Sequence, residues 1–219
     1  MNSPLIQLLV LAGIAVFLIL RLRNVLGTRD GFEQPPVPTA STERRNRPDL
    51  EVIEGGPDLD ITDHVKEDSD DAKALAEMKR LEPSFGVADF LQGGRGAYEM
   101  ILMGFENGEL AEIQPFLAED VYESFVDAVS AREDQGLSIE AEFYGVREMK
   151  VVNATLDEDT KEAEISIRFV AELTSIVRDN AGDIIEGSDA DVKRQKDTWS
   201  FARIMGSDDP NWLLVSTDA

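Results

Sequence analysis

The chain has 219 residues, no cysteine and one histidine, and 44 acidic against 21 basic side chains leave it a net charge of -23. With no cysteine there is no disulfide framework and no zinc site of the usual Cys/His kind. The one histidine, His64, falls in a stretch that reads as linker, so no Cys–His or Ser–His nucleophile–base pair is expected. A field of this sign also repels the phosphates of nucleic acid, so no nucleic-acid partner is expected; it suits plain solubility or salt adaptation of the surface, with attraction of cationic partners such as basic unfolded segments as the alternative.

The N-terminal run Leu5–Leu20 is interrupted only by Gln7 and Gly13, and Arg21 and Arg23 follow directly. At the helical rise, these residues cover about 24 Å; extension to Ser3 and Leu22 reaches the ~30 Å of a hydrocarbon core. Residues 4–22 are therefore predicted to form one transmembrane anchor. Met1–Pro4 lacks the basic n-region of a cleaved signal peptide, and bulky Arg21-Leu22-Arg23 replaces a small-residue cleavage site. Arg21, Arg23 and Arg29 lie on one side only, which predicts a translocated N-terminus and a cytoplasmic remainder.

Residues 24–71 read as a linker. Pro35, Pro36, Pro38, Pro48 and Pro57 punctuate them, with Gly31, Gly55 and Gly56, and the apolar residues are isolated. Such a segment buries too little surface to offset the entropy of ordering. His64 falls here without companions at metal-ligand spacing, as a solvated residue.

Residues 72–219 suit one domain with one core. The first fifty residues hold six basic and four acidic side chains, so positions 51–219 carry 15 basic against 40 acidic, a net charge of -25. In Ala72–Leu81, the spacing of Leu75, Met78 and Leu81 predicts a leading amphipathic helix. Phe90, Leu91, Ala97, Tyr98, Ile101, Leu102 and Phe105 form one face of a second helix that ends at Asn107-Gly108. Gly93-Gly94-Arg95-Gly96 sits inside that period without the preceding strand a dinucleotide fingerprint needs, so close helix packing is the reading, with Arg95 an exposed helix residue. A short helix is expected over Glu109–Leu117. Asp120 is expected to cap a further one burying Val121, Phe125, Ala128 and Val129 and stopping at Gln135-Gly136.

The period then changes to two. Ala163, Ile165, Ile167, Phe169, Ala171 and Leu173 alternate with more polar neighbours across Lys161–Val177, giving a long strand with one dry face. Asp179–Gly182 is a turn, Trp199 and Phe201 share a face of Asp191–Met205, and Asp208–Asn211 turns into Trp212–Thr217. With a strand around Val146–Leu156, this predicts a four-stranded antiparallel meander with the helices on its dry face, an α+β fold. Such a curved sheet closed by helices often leaves a concave pocket. Its candidate lining is Tyr98, Ile165, Ile167, Phe169, Trp199 and Phe201.

Glu82-Pro83-Ser84-Phe85, Phe90 through Ile101, Leu117 through Phe125, Ala131-Arg132-Glu133, Thr198 through Arg203 and Asp209 through Val215 together resemble the Tim44-like domain family. That family comprises the C-terminal domain of the mitochondrial import-motor tether and membrane-anchored bacterial relatives, whose N-termini the segment Arg21–Gly27 also resembles. The resemblance implies a cystatin- or nuclear-transport-factor-two-like α+β cone with a hydrophobic pocket, no catalytic activity and no cofactor. It further implies a single-pass protein of the bacterial inner membrane that tethers a protein partner at the cytoplasmic face, a chaperone or translocase component among the options. Binding or turnover of a small apolar ligand is the alternative. The short linker does not match the mitochondrial member's long chaperone-binding region. Ala72–Leu81 offers only Lys73, Lys79 and Arg80 to lipid headgroups.

Overall fold

A computed structural model describes residues 57–218. The predicted anchor, and the predicted linker up to residue 56, lie outside the described residues. Among the described residues, no helix is long and apolar enough to cross a membrane.

The helices come first: α1 (Leu59–Thr62), α2 (Asp70–Leu81), α3 (Val87–Asn107), α4 (Leu110–Ile113), a 3-10 turn (Gln114–Phe116) and α5 (Glu119–Asp134). The strands follow: β1 (Ser138–Leu156), β2 (Glu162–Arg178), β3 (Ile184–Glu186), β4 (Lys193–Ile204) and β5 (Leu213–Asp218). They form one antiparallel sheet in the order β1-β2-β4-β5, with β3 paired to β2. The α+β class with helices before strands is as expected. The sheet has five strands, not four, because β2 outruns β4, and β3 pairs with its unclaimed end at Val177 and Arg178.

Packing also extends upstream of Ala72, into the stretch read as linker. Ile61 on α1 is buried in the core, and Asp60 accepts hydrogen bonds from Val87 N (2.8 Å) and Ala88 N (2.9 Å). This remote carboxylate caps α3, whose own N-cap is Gly86 without a side-chain acceptor. Lys79 locks the arrangement by pairing with Asp58 at 2.6 Å and Asp60 at 3.0 Å. His64 is half-buried.

Helix α2 starts at Ser69, whose Oγ accepts from Ala72 N at 3.1 Å, and buries Leu75 and Met78. Gly108, at φ 76°, ends α3 in the left-handed conformation that lacks steric cost only for glycine. Pro115 divides the expected Glu109–Leu117 helix into α4 and the 3-10 turn. On α5, Val121 and Val129 are buried and Phe125 half-buried, but Ala128 is exposed and Asp120 lies inside the first turn, with Ala118 at the cap. Its weak apolar pattern fits either rotation of the helix, and packing decided between them.

Strand β1 is longer than expected, starting at Ser138. Register shifts at Phe143/Gly145, Val146/Glu148 and Val151/Asn153 break its period-two pattern while bending the strand. Arg95 is an exposed helix residue, as expected, and it donates to the Val146 carbonyl at 2.9 Å, which fastens α3 to a bulge. Asp71 accepts from Ala154 N at 2.9 Å further along the same edge strand. Both contacts occupy backbone groups that an open strand edge would offer to another chain.

Of the helical glycines, two have a packing reason. A Cβ at Gly94 would stand 3.1 Å from Ile167 Cδ1, and one at Gly104 would stand 2.6 Å from Ile113 Cγ2. Gly93 and Gly96 have none, because a Cβ there would meet nothing within 4 Å. Each costs α3 about 1 kcal/mol relative to alanine.

Candidate functional site

The predicted pocket residues mostly turn out to be solid core. Tyr98, Ile165, Ile167 and Phe169 are fully buried and Trp199 nearly so. The Tyr98 ring stacks on Phe169 with centroids 4.3 Å apart and lies 4.6 Å from Trp199, which leaves no space between α3 and the middle of the sheet. Of the six, Phe201 lines the groove described next, and the other five do not.

That cavity lies toward the N-terminal end of α3, an open groove of about 370 Å³. The α2–α3 connection contributes Glu82, Phe85 and Gly86, and α3 contributes Asp89, Phe90, Gly93, Gly94 and Ala97. Phe116, Phe201, Arg203 and Trp212 close the far side. Its aromatic wall is continuous: Phe90–Trp212 centroids are 4.7 Å apart, Phe85–Trp212 5.9 Å, and Phe90 meets Phe201 edge-on at 6.3 Å.

Arg203 holds the end of this wall. Its guanidinium carbon stands 5.4 Å from the Trp212 ring centroid, its Nη1 donates to the Pro210 carbonyl at 3.0 Å, and its Nη2 pairs with Glu82. Glu82 also accepts from Gly206 N at 3.1 Å. The Arg203 bond is the main reason its carboxyl stays below the usual range, and it outweighs burial, which acts the other way. Only 7% of the Arg203 side chain is exposed, and its Nε–H is buried without an acceptor. The groove is thus apolar and aromatic, with carboxylates at its rim.

A second polar feature is sealed inside. The Tyr98 hydroxyl donates to Asp197 on β4, and Gln195 Nε2 donates to the same oxygen at 2.9 Å. Burial pushes the Asp197 carboxyl above its ordinary value against these two hydrogen bonds, and burial followed by the Asp197 bond pushes the Tyr98 phenol up as well. A carboxylate beside a phenol can move protons when it lines a cavity, but neither residue lines the groove. Among the described residues, no group of His, Cys, Asp or Glu could hold a metal ion.

A raised folded-state value means that the Asp197 contribution to stability is fully present below the unfolded value, near 3.8, and is lost as pH rises through the folded one. Asp197→Asn keeps an acceptor for Tyr98 without the charge. It should therefore match or exceed the wild type in stability near neutral pH and lose that advantage as the pH falls toward 3.8. Paired chemical denaturation curves across this range check the prediction; a difference independent of pH would refute it.

Residues missed by the sequence reading are Phe85, Phe90, Phe116, Arg203 and Trp212. A usable signal existed: Glu82–Phe85, Thr198–Arg203 and Asp209–Val215 are distant in sequence, yet each contains a groove residue.

The model of the family described as Tim44-like domain matches residues 71–219. Among solved structures, the crystal structure of the intermembrane space region of chloroplast protein ARC6 aligns with 66% of this chain and 94% of its own, at 11% identity and a TM-score of 0.37. That likeness is too distant to argue from. Among curated proteins, none matches the chain.

Proposed function

We infer, from the premise that this chain belongs to the Tim44-like domain family, that it is a non-catalytic adaptor whose aromatic groove receives a segment of a protein partner. The supporting observation is convergence. The groove draws its lining from separate segments that carry the family resemblance, and they join in one aromatic wall. Tryptophan and arginine are among the residue types that dominate binding energy at protein interfaces, and phenylalanine is enriched there. The buried Tyr98–Asp197 pair does not line the groove, which favours binding over turnover.

In this proposal residues 4–22 anchor the protein in the bacterial inner membrane with the body on the cytoplasmic side, so that a captured partner is held near the bilayer. The apolar run and the one-sided arginines support the anchor and its orientation. The partner is a protein, with translocase or membrane-protein assembly components the class to examine first.

A photoreactive amino acid at Asn211, on the groove wall, tests the proposal in intact cells producing the full chain. A discrete protein adduct is expected, lost when Ala97→Trp fills the groove. A C-terminal tag should resist protease in intact spheroplasts and be digested after lysis. Absence of any protein adduct, or reproducible turnover of a small molecule by the purified protein, would overturn the adaptor reading. The groove volume, about 370 Å³, also falls within the range of small-molecule sites. A lipid-extractable adduct would favour that second reading.

A further inference from the structure

Positions 51–219 hold 15 basic side chains among 40 acidic ones, so carboxylates are in surplus for every cation. Among the described residues, Lys66, Lys150, Arg168 and Lys196 nevertheless make no hydrogen bond or ion pair. Each of the other cations reaches a carboxylate or a backbone carbonyl.

Three of these four stand together on the face of the sheet turned away from the helices. Phe169 and Asp197 reach Tyr98 of α3, and Met149 packs on the core. Alternation therefore turns Arg168, Lys196 and Lys150 outward, and all three are exposed. The register sets Lys150 directly opposite Arg168; Lys196, opposite Val170, is the diagonal neighbour of Arg168. Like charges opposite each other in a sheet are destabilising, yet this group is kept in a body rich in carboxylates. Lys66, the fourth, lines a hollow of about 600 Å³ at the β1 edge together with Lys150, so the group is continuous. In the rows from Glu172 to Arg168, the outer face carries Arg147, Lys150, Arg168, Arg194 and Lys196 against Glu148, Glu172 and Asp218. Glu172 is held by Arg147 and Arg194.

Size selects among anionic occupants. A lipid surface or a nucleic acid would bring its phosphates against a whole body of net charge -25. A short acidic segment meets only the local field, because salt screens charges beyond about 8 Å. Small-molecule sites are concave, whereas these side chains stand on an exposed sheet face.

We propose that the outer face of the sheet docks an acidic segment of another protein, whose Asp or Glu carboxylates bridge Lys150, Arg168 and Lys196. The Arg168 guanidinium takes a carboxylate in a two-pronged geometry that lysine does not offer. Lys150 and Lys196 flank it from the neighbouring strands, about 4.8 Å to either side. This surface lies across the sheet from the aromatic groove and does not depend on the reading of that groove.

The test uses the full-length protein in uncharged detergent and a fluorescent peptide alternating Glu and Gly, beside its Gln/Gly counterpart. About eight residues, when extended, span the three strands. The Glu peptide should bind about tenfold or more tightly than the Gln peptide, with an affinity that falls as salt rises. Lys150→Gln, Arg168→Gln and Lys196→Gln combined should weaken it about tenfold, and Glu148→Lys should tighten it severalfold. Arg168→Gln alone relieves a like-charge pair, so its melting temperature should hold or rise by about 1–2 °C, which separates lost binding from lost folding. Ala97→Trp, which fills the groove, should bind the peptide as the wild type does. Undiminished binding by the triple variant, equal binding of the two peptides, no binding of the Glu peptide, its loss in Ala97→Trp, or stronger retention of phosphatidylglycerol in mixed micelles would each overturn the proposal. The groove reading is tested apart from this surface, by the Asn211 adduct.

Discussion

Trp199→Ala is expected to destabilise the domain by about 3–5 kcal/mol, the range for deleting a large aromatic side chain from a packed core. Trp199 is 5% exposed, sits opposite Ile167 in the β2–β4 register, and meets Tyr98, Phe169 and Phe201 at centroid distances of 4.6, 6.1 and 6.3 Å. These neighbours come from α3, β2 and β4, so no single element can shift to fill the void. Urea denaturation followed by circular dichroism measures the loss, and Trp212 remains as an independent fluorescence reporter near the groove. A loss below about 1 kcal/mol would mean that the centre of the domain collapses around the missing ring, contrary to the tight packing that excludes a pocket there.

Glu82→Ala should cost about 2–3 kcal/mol, somewhat below the value for breaking a fully buried ion pair because 22% of the Glu82 side chain is exposed. The loss arises less from the missing attraction than from the stranded partner: Arg203 stays desolvated with its carboxylate gone. Two controls isolate this cause. Glu82→Gln, which keeps an acceptor, should lose less, and adding Arg203→Met to Glu82→Ala should restore part of the stability. Because the folded Glu82 carboxyl lies below its ordinary 4.5, its stabilising contribution is present above the unfolded value and is lost as pH falls through the folded one. The wild type and Glu82→Ala should therefore converge in acid. A cost undiminished in the double variant would assign the effect to loss of the hydrogen bonds that Glu82 accepts from Ser84 and Gly206 instead of to the stranded charge.

The two substitutions separate the core from the site. Trp199 supports the sealed centre, while Glu82 sets the guanidinium that lies over Trp212 and closes the end of the groove. Glu82→Ala should accordingly alter the groove at denaturant concentrations where the fold persists.

The order of elements was legible in the chain because local periodicity carries it. Ile165, Ile167 and Phe169 alternate as a strand must, and the apolar spacing from Phe90 to Phe105 has the period of a helix that Asn107-Gly108 ends. The family was legible from ordered segments, and the matched residues 71–219 bear it out. Where several elements converge, the sequence alone was silent. The cap of α3 comes from Asp60, 27 residues before Val87, and no local pattern records a partner at that distance. The bulges of β1 break its alternation only from Phe143 onward; Ile139, Ala141 and Phe143 alternate before them, and that signal was present in the chain. The groove was misplaced for the same reason as the cap. Alternation identifies the side chains that face inward, but whether an inward face is filled or hollow depends on volumes summed across elements. Tyr98, Phe169 and Trp199 fill the centre, and the hollow falls where Gly93 and Gly94 withhold side chains beside Phe90, Phe201 and Trp212. Composition alone determined that any site would be set in an acidic body; three-dimensional packing decided where the groove opens.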